Sequence, residues 1–291
     1  MPIHATALGQ SAGESVLDIT ARLTMAYAAG VEAEEACYLD DLRADGVVAP
    51  PPFCVSLEWP VVNGSRCRDV TGVTADEAWG GIHVQQDSTF HRAVRPGDRL
   101  RTSGRVVKIG PTSAGTLVVL KLETRDERSG EPVVTSYSST IFLRVPLEGA
   151  PGMLEAPPEL RGEGAITVLP AGGVALPTAR RMAHVYTECA GIWNPIHTQR
   201  RIAQEKQLPD VILHGTCTWA LAGVELIRRC AEGDPLRLKR LAGRFHGMVI
   251  PGTTIGLEYG VEPGEPGKVQ FTVTNAAGEL AISHGLAEFA A

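Results

Sequence analysis

The residues best suited to moving a proton lie in two short stretches. Tyr186-Thr-Glu-Cys-Ala-Gly-Ile-Trp-Asn-Pro-Ile-His197 comes first, and Leu213-His214-Gly215-Thr216 follows. Pro195 fixes its own φ and turns Asn194 away from the right-handed helical region, so His197 leaves a stiff corner rather than a slack loop. Gly215 opens a long apolar run, and the first N–H groups of a helix have no partner inside it. Such an amide can polarise a thioester carbonyl as its oxygen gains charge. A fixed imidazole beside that carbonyl is the minimum equipment for moving a proton at the adjacent carbon. The same residues admit a reading without chemistry: a turn whose histidine bonds backbone, and a helix start with a satisfied core histidine.

The apolar run predicts a helix over 216–230, carrying Trp219, Leu221, Ala222, Leu226 and Ile227, with Arg228 and Arg229 in its last turn, where cations suit the helix dipole. A repeat frames it. Phe90-His91-Arg92-Ala93-Val94-Arg95-Pro96-Gly97 returns as Phe245-His246-Gly247-Met248-Val249-Ile250-Pro251-Gly252, at a constant offset of 155 residues. The paired His91 and His246 point to a shared structural role. After each copy come strand-like runs: 98–107, 117–124 and 133–143 in the first half, then 253–261, 268–274 and 280–289 in the second. Short Gly-containing turns join them, which implies antiparallel meanders. A shorter helix is expected near 53–62, behind Pro50, Pro51 and Pro52. Helix plus antiparallel sheet, made twice, is an α+β architecture whose two sheets pair into one continuous sheet. The expected boundaries are a module over 1–148, a linker over 149–165, rich at its start in Pro, Gly and Glu, and a second module over 166–291.

The 291 residues carry 27 Lys and Arg against 33 Asp and Glu, a formal net charge of −6, so no broad cationic field invites nucleic acid or anionic lipid. No stretch approaches the ~20 apolar residues that span a bilayer, and the N-terminus lacks the pattern of a secretory signal. The six cysteines include no C-x-x-C pair, which favours free thiols in a reducing cytoplasm. No ligand spacing predicts a metal, and no strand-borne G-x-G-x-x-G predicts a nucleotide cofactor, so none is expected.

Ala190-Gly191-Ile192-Trp193-Asn194-Pro195-Ile196-His197 with Ile212-Leu213-His214-Gly215 resembles the signature of the MaoC-like, R-specific enoyl-CoA hydratase (hydratase 2) family. The 49–98 stretch resembles the degenerate first module of its two-module members. The resemblance implies a double hotdog fold and a lyase that adds water to enoyl thioesters of CoA or carrier protein, or removes it from 3-hydroxyacyl thioesters. By position, His197 becomes the catalytic histidine, Gly215 the oxyanion donor and Asn194 a shaper of the loop. Tyr186, Ile192, Trp193, His214 and Thr216 are expected around the substrate. The family's catalytic Asp does not carry over: Ile192 stands there, and Gly223 stands where a helix Ser commonly steadies that Asp. Glu188 and Asp210 are the nearest carboxylates in sequence. A variant proton-transfer reaction beside the same carbonyl therefore stands next to simple water addition, and a non-catalytic thioester-binding or structural subunit of a heteromeric hydratase stands as the alternative to an enzyme. The expected assembly is a homodimer or a hetero-oligomer of hotdog chains.

Overall fold

The computed structural model describes residues 1–160, 170–262 and 264–290. The main elements in chain order are β1 (Ser11–Asp18), α1 (Ala21–Gly30), α2 (Cys54–Val62), β2 (Gly81–Phe90), β3 (Arg99–Pro111), β4 (Gly115–Asp126) and β5 (Pro132–Leu143). They continue with β6 (Pro170–Pro177), α3 (Met182–Ala190), α4 (Gly215–Cys230), β7 (Leu238–Phe245), β8 (Thr254–Glu262), β9 (Glu265–Thr274) and β10 (Leu280–Phe289). The chain forms two compact units. One comprises Met1–Asp18, Ser56–Arg92 and Asp98–Glu159; the other comprises Ile19–Val55, Ala93–Gly97 and Leu160–Ala291.

In the first unit the antiparallel strands run in the order β1-β3-β4-β5-β2. Alternation along β4 divides its side chains between two faces. Val118, Leu120 and Leu122 join Val61 of α2, Val106 and Ile109 in the main core. Val119 faces the reverse side with Val107 and Tyr137. Gly104 lets the helix approach: a Cβ there would lie 2.7 Å from Val61 Cγ1. A 3-10 turn, Pro51–Phe53, leads into α2, which ends two residues after Pro60.

The second unit repeats the same order, β6-β8-β9-β10-β7, again antiparallel throughout. The start of β3 at Arg99 and that of β8 at Thr254 are 254 − 99 = 155 residues apart, the offset of the sequence repeat. Both Pro-Gly turns need glycine, since Gly97 (φ 94°) and Gly252 (φ 91°) sit in the left-handed region. The paired histidines also do one job. His91 Nε2 bonds Thr135 Oγ1 on β5, and His246 Nε2 bonds Ser283 Oγ on β10, the corresponding strand. The fold is α+β, a double hotdog.

The core of the second unit is α4, buried on every side from Thr216 to Ile227, as a helix enclosed by its unit must be. Its buried Glu225 accepts from Arg228 and Arg229, and Arg228 also pairs with Glu35. Beyond suiting the helix dipole, both arginines are thus anchored by carboxylates of their own unit.

The division at 148 and 166 does not follow the packing. Residues Ile19–Val55 belong with the second unit because α1 packs on α3. There Tyr27 meets Tyr186 edge to face, and Gly30 approaches so closely that a Cβ would fall 2.7 Å from Cys189 Cβ. The expected linker is not a bare crossing either. Leu147–Glu148 pair with Ile3–His4, Gly152–Met153 pair with β3, and Glu155 bonds Lys121 and Tyr137. Its end, 161–165, lies outside the described residues. Among the described residues no helix is long and apolar enough to cross a membrane. Among the described residues no cysteine forms a disulfide; Cys54, Cys67 and Cys217 are buried.

Candidate active site

Helix α3 ends at Gly191, whose φ of 65° closes a left-handed cap with its N–H on Thr187 O. The chain then turns inward. Ile192 is buried, while the neighbouring Trp193 is 46% exposed. Asn194 caps the next turn, its side-chain oxygen accepting the Ile196 N–H, and Pro195 opens a single 3-10 turn, Pro195–His197. His184 of α3 braces the far side of this corner by bonding Thr198 O.

His197 is half-buried, and its Nδ1 lies 2.8 Å from Ile212 O. A carbonyl oxygen only accepts, so Nδ1 carries the hydrogen and Nε2 presents a lone pair. Burial lowers the imidazole to about 4, partly offset by the Ile212 bond, so it is a neutral base at neutral pH.

His214 stands at the N-cap of α4 with its ring stacked on His197, centroids 3.6 Å apart and planes tilted by 24°. Because Gly215 is the next residue, this stack brings the His197 imidazole to the mouth of α4. Gly215 is exposed, and among the described residues its N–H has no acceptor. Its Cα lies against the Phe245 ring: a Cβ would come 3.2 Å from it. His214 Nε2 is 3.2 Å from Ile192 O and 3.3 Å from Thr187 Oγ1, whose own hydrogen goes to Ala183 O. Two acceptors facing Nε2 make it the protonated nitrogen. Behind His214, the Tyr186 ring lies 5.0 Å away and its hydroxyl donates to Thr216 Oγ1.

Tyr186, Ile192, Asn194, His197, His214, Gly215 and Thr216 therefore gather at one corner, with Trp193 at its exposed rim. The two nearby carboxylates do not join them. Glu188 is exposed on α3, and Asp210 accepts the Val211 N–H and faces Arg200 at 3.5 Å. Among the described residues, no carboxylate bonds either imidazole. Around Gly223 there is no slack: a Cβ would lie 2.6 Å from Leu241 Cδ2 and 3.4 Å from Pro52 Cγ. Among the described residues no cluster of His, Cys, Asp and Glu could hold a metal ion. The anchors missing from the sequence reading are Thr187, His184 and the Ile212 carbonyl. Backbone acceptors leave no trace in residue type, and Thr187 reads as an ordinary helical residue.

Residues 164–280 match the MaoC like domain, and residues 6–136 match the FAS1-like, dehydratase domain region. The second half of the chain is a MaoC like domain. It is 27% identical over 211 residues to a probable enoyl-CoA hydratase 2 of Dictyostelium discoideum, covering 71% of this chain and 69% of that one. A peroxisomal enoyl-CoA hydratase 2 of Arabidopsis thaliana is 30% identical over 196 residues, covering 62% of this chain and 60%, less than two thirds, of the relative. The structure of a MaoC-like dehydratase from Phytophthora capsici superposes with a TM-score of 0.82 at 20% identity, over 97% of this chain and 96% of that one. The Asn-Pro-Ile-His corner and the His-Gly helix start both fall in the MaoC like region, 164–280.

Proposed function

We propose that this MaoC-like chain is a hydro-lyase acting on acyl thioesters of CoA or a carrier protein, adding water to a trans-2-enoyl group or removing it from a 3-hydroxyacyl group. The observation that carries this reading is a neutral imidazole, its Nδ1 committed to Ile212 O and its Nε2 lone pair available, at a helix start whose Gly215 amide is unclaimed. In hydration, Nε2 takes a proton from water as its oxygen bonds the β-carbon. The double-bond electrons move onto the thioester oxygen, where the Gly215 N–H holds the developing charge. The imidazolium then delivers its proton to the α-carbon, and the catalyst is restored. A single histidine can serve as base and then acid, so the cycle closes without the carboxylate that Ile192 replaces. Tyr186 and Thr216 support the wall behind it, and Trp193 forms the rim.

Losing one member of an acid–base pair typically costs 10²–10⁴-fold, so turnover should be slow. The absence of a carboxylate on either imidazole favours a second reading, a thioester-binding subunit without activity. One experiment separates them: enoyl chromophore loss with trans-2-enoyl-CoAs of rising chain length, for wild type and His197→Ala. Turnover that disappears in His197→Ala supports the enzyme. Equal inertness with retained acyl-CoA binding supports the subunit. Six cysteines without a C-x-x-C pair or the density of a secreted disulfide framework favour a reducing compartment such as the cytoplasm.

A further inference from the structure

One hydrogen bond does not fix an imidazole. The Nδ1–H···O bond from His197 to Ile212 sets a distance and one axis, and the ring can still swing about that axis, turning the Nε2 lone pair away from the water and the α-carbon it must serve. The remaining constraint comes from below. The His214 face lies 3.6 Å from the His197 centroid, nearly parallel. That face is itself rigid: Nε2–H is shared between Ile192 O and Thr187 Oγ1, and Tyr186 stands 5.0 Å away. His214 is only 3% exposed, and its Nδ1 has no partner among the described residues, so the ring is kept buried as a surface more than as a hydrogen-bonding hub.

We infer that His214 is a positioning residue for the reaction: its ring is the platform that fixes the rotation of the His197 imidazole about the bond to Ile212. This rests on the function proposed above. Neutrality of both rings belongs to the device. Burial, and then the neighbouring His197, hold His214 well below its ordinary range, and two cations stacked this closely would repel. As His197 takes the water proton, the neutral face beneath it is also the surface against which that charge develops.

Two variants isolate the flat face. His214→Leu and His214→Phe both lose the bonds to Ile192 O and Thr187, and both put an apolar group in a buried space, but only Phe restores a ring. Nitrogen-15 NMR of the imidazoles reads His197 directly, whether or not the protein turns over. In His214→Leu, Ile212 O should still hold the Nδ1–H tautomer, while carbon-13 relaxation should show the His197 Cε1–H bond loosened as the ring swings about that hydrogen bond, and the His197 midpoint should rise by about one unit or more toward its ordinary value as water reaches the freed ring. In His214→Phe, mobility and midpoint should both stay as in wild type. With turnover, kcat should fall ~10²-fold in His214→Leu at little-changed KM and largely recover in His214→Phe, as expected for misplacement of a reacting group. If the leucine variant does not fold, His214→Met takes its place. An unchanged His197 Cε1–H mobility and midpoint in the leucine variant would overturn the inference. So would a phenylalanine variant no better than leucine. Inert wild type with the expected NMR changes would sink the proposed function and leave the positioning role standing.

Discussion

Replacing Glu58 with glutamine should make the protein more stable at pH 8 and leave it nearly unchanged at pH 4.5. Glu58 lies on α2 and is 3% exposed. Gln86 Nε2 donates to one of its oxygens at 2.9 Å and Ser136 Oγ to the other, with Ser88 bonded to both donors. Burial raises the carboxyl from 4.5 to about 7, against the pull of those two hydrogen bonds. Below pH 4.5 folded and unfolded chains are both protonated and nothing is lost. Between 4.5 and 7 the unfolded chain ionises while the folded one holds its proton, so stability falls as pH rises. At 1.36 kcal/mol per pKa unit the full cost is about 3 kcal/mol above pH 7. Glutamine cannot ionise and escapes that cost, while its own packing penalty is the same at every pH. The Tm gain of Glu58→Gln over wild type should grow from pH 4.5 to pH 8 by ~6–12 °C, measured by circular dichroism in matched buffers. A Tm difference that does not change with pH would refute the reasoning.

Ile192→Asp should raise hydration of enoyl-CoA by ~10²-fold or more if the carboxylate alone is missing, while lowering stability by about 2–4 kcal/mol through lost apolar burial; steady-state kinetics and thermal unfolding read the two effects. Gly223→Ala should cost about 1–3 kcal/mol, because its Cβ would fall 2.6 Å from Leu241 Cδ2, and Leu241→Ala in the same chain should recover part of that loss. For wild type, kcat/KM should stay level from pH 8 down to about pH 5.5, because His197 titrates near 4 and remains the neutral base. An acid limb near pH 6.5 would mean that its ring is solvated.

Much of the fold is legible because it is written in local pattern. The strand runs and Pro-Gly turns of the repeat mark the two meanders, and the uninterrupted apolar stretch after Gly215 marks a buried helix. What the sequence hides is set by packing at a distance. Nothing local in 21–30 tells that Gly30 must slide against Cys189, and so the segment joins the second unit rather than the first. The site follows the same rule. Asn194 and Pro195 announce a corner, and the His-Gly pair announces a helix start. The stack of His197 on His214, and the Ile212 carbonyl that fixes the tautomer, arise only when 192–197 and 212–216 fold against each other. That position 192 carries an isoleucine and no carboxylate is plain in the sequence. That among the described residues no other carboxylate bonds the histidines could be seen only from the pairing of Asp210 with Arg200 and the exposure of Glu188.

The most direct trial of the central claim follows the proton itself. Crotonyl-CoA should be turned over in deuterated water and the product examined by NMR for isotope at the α-carbon. A working His197 predicts a 3-hydroxyacyl thioester bearing one deuterium on a single face, and none formed beyond background by His197→Ala. Product that accumulates equally with the histidine removed, or deuterium scattered over both faces, would contradict it.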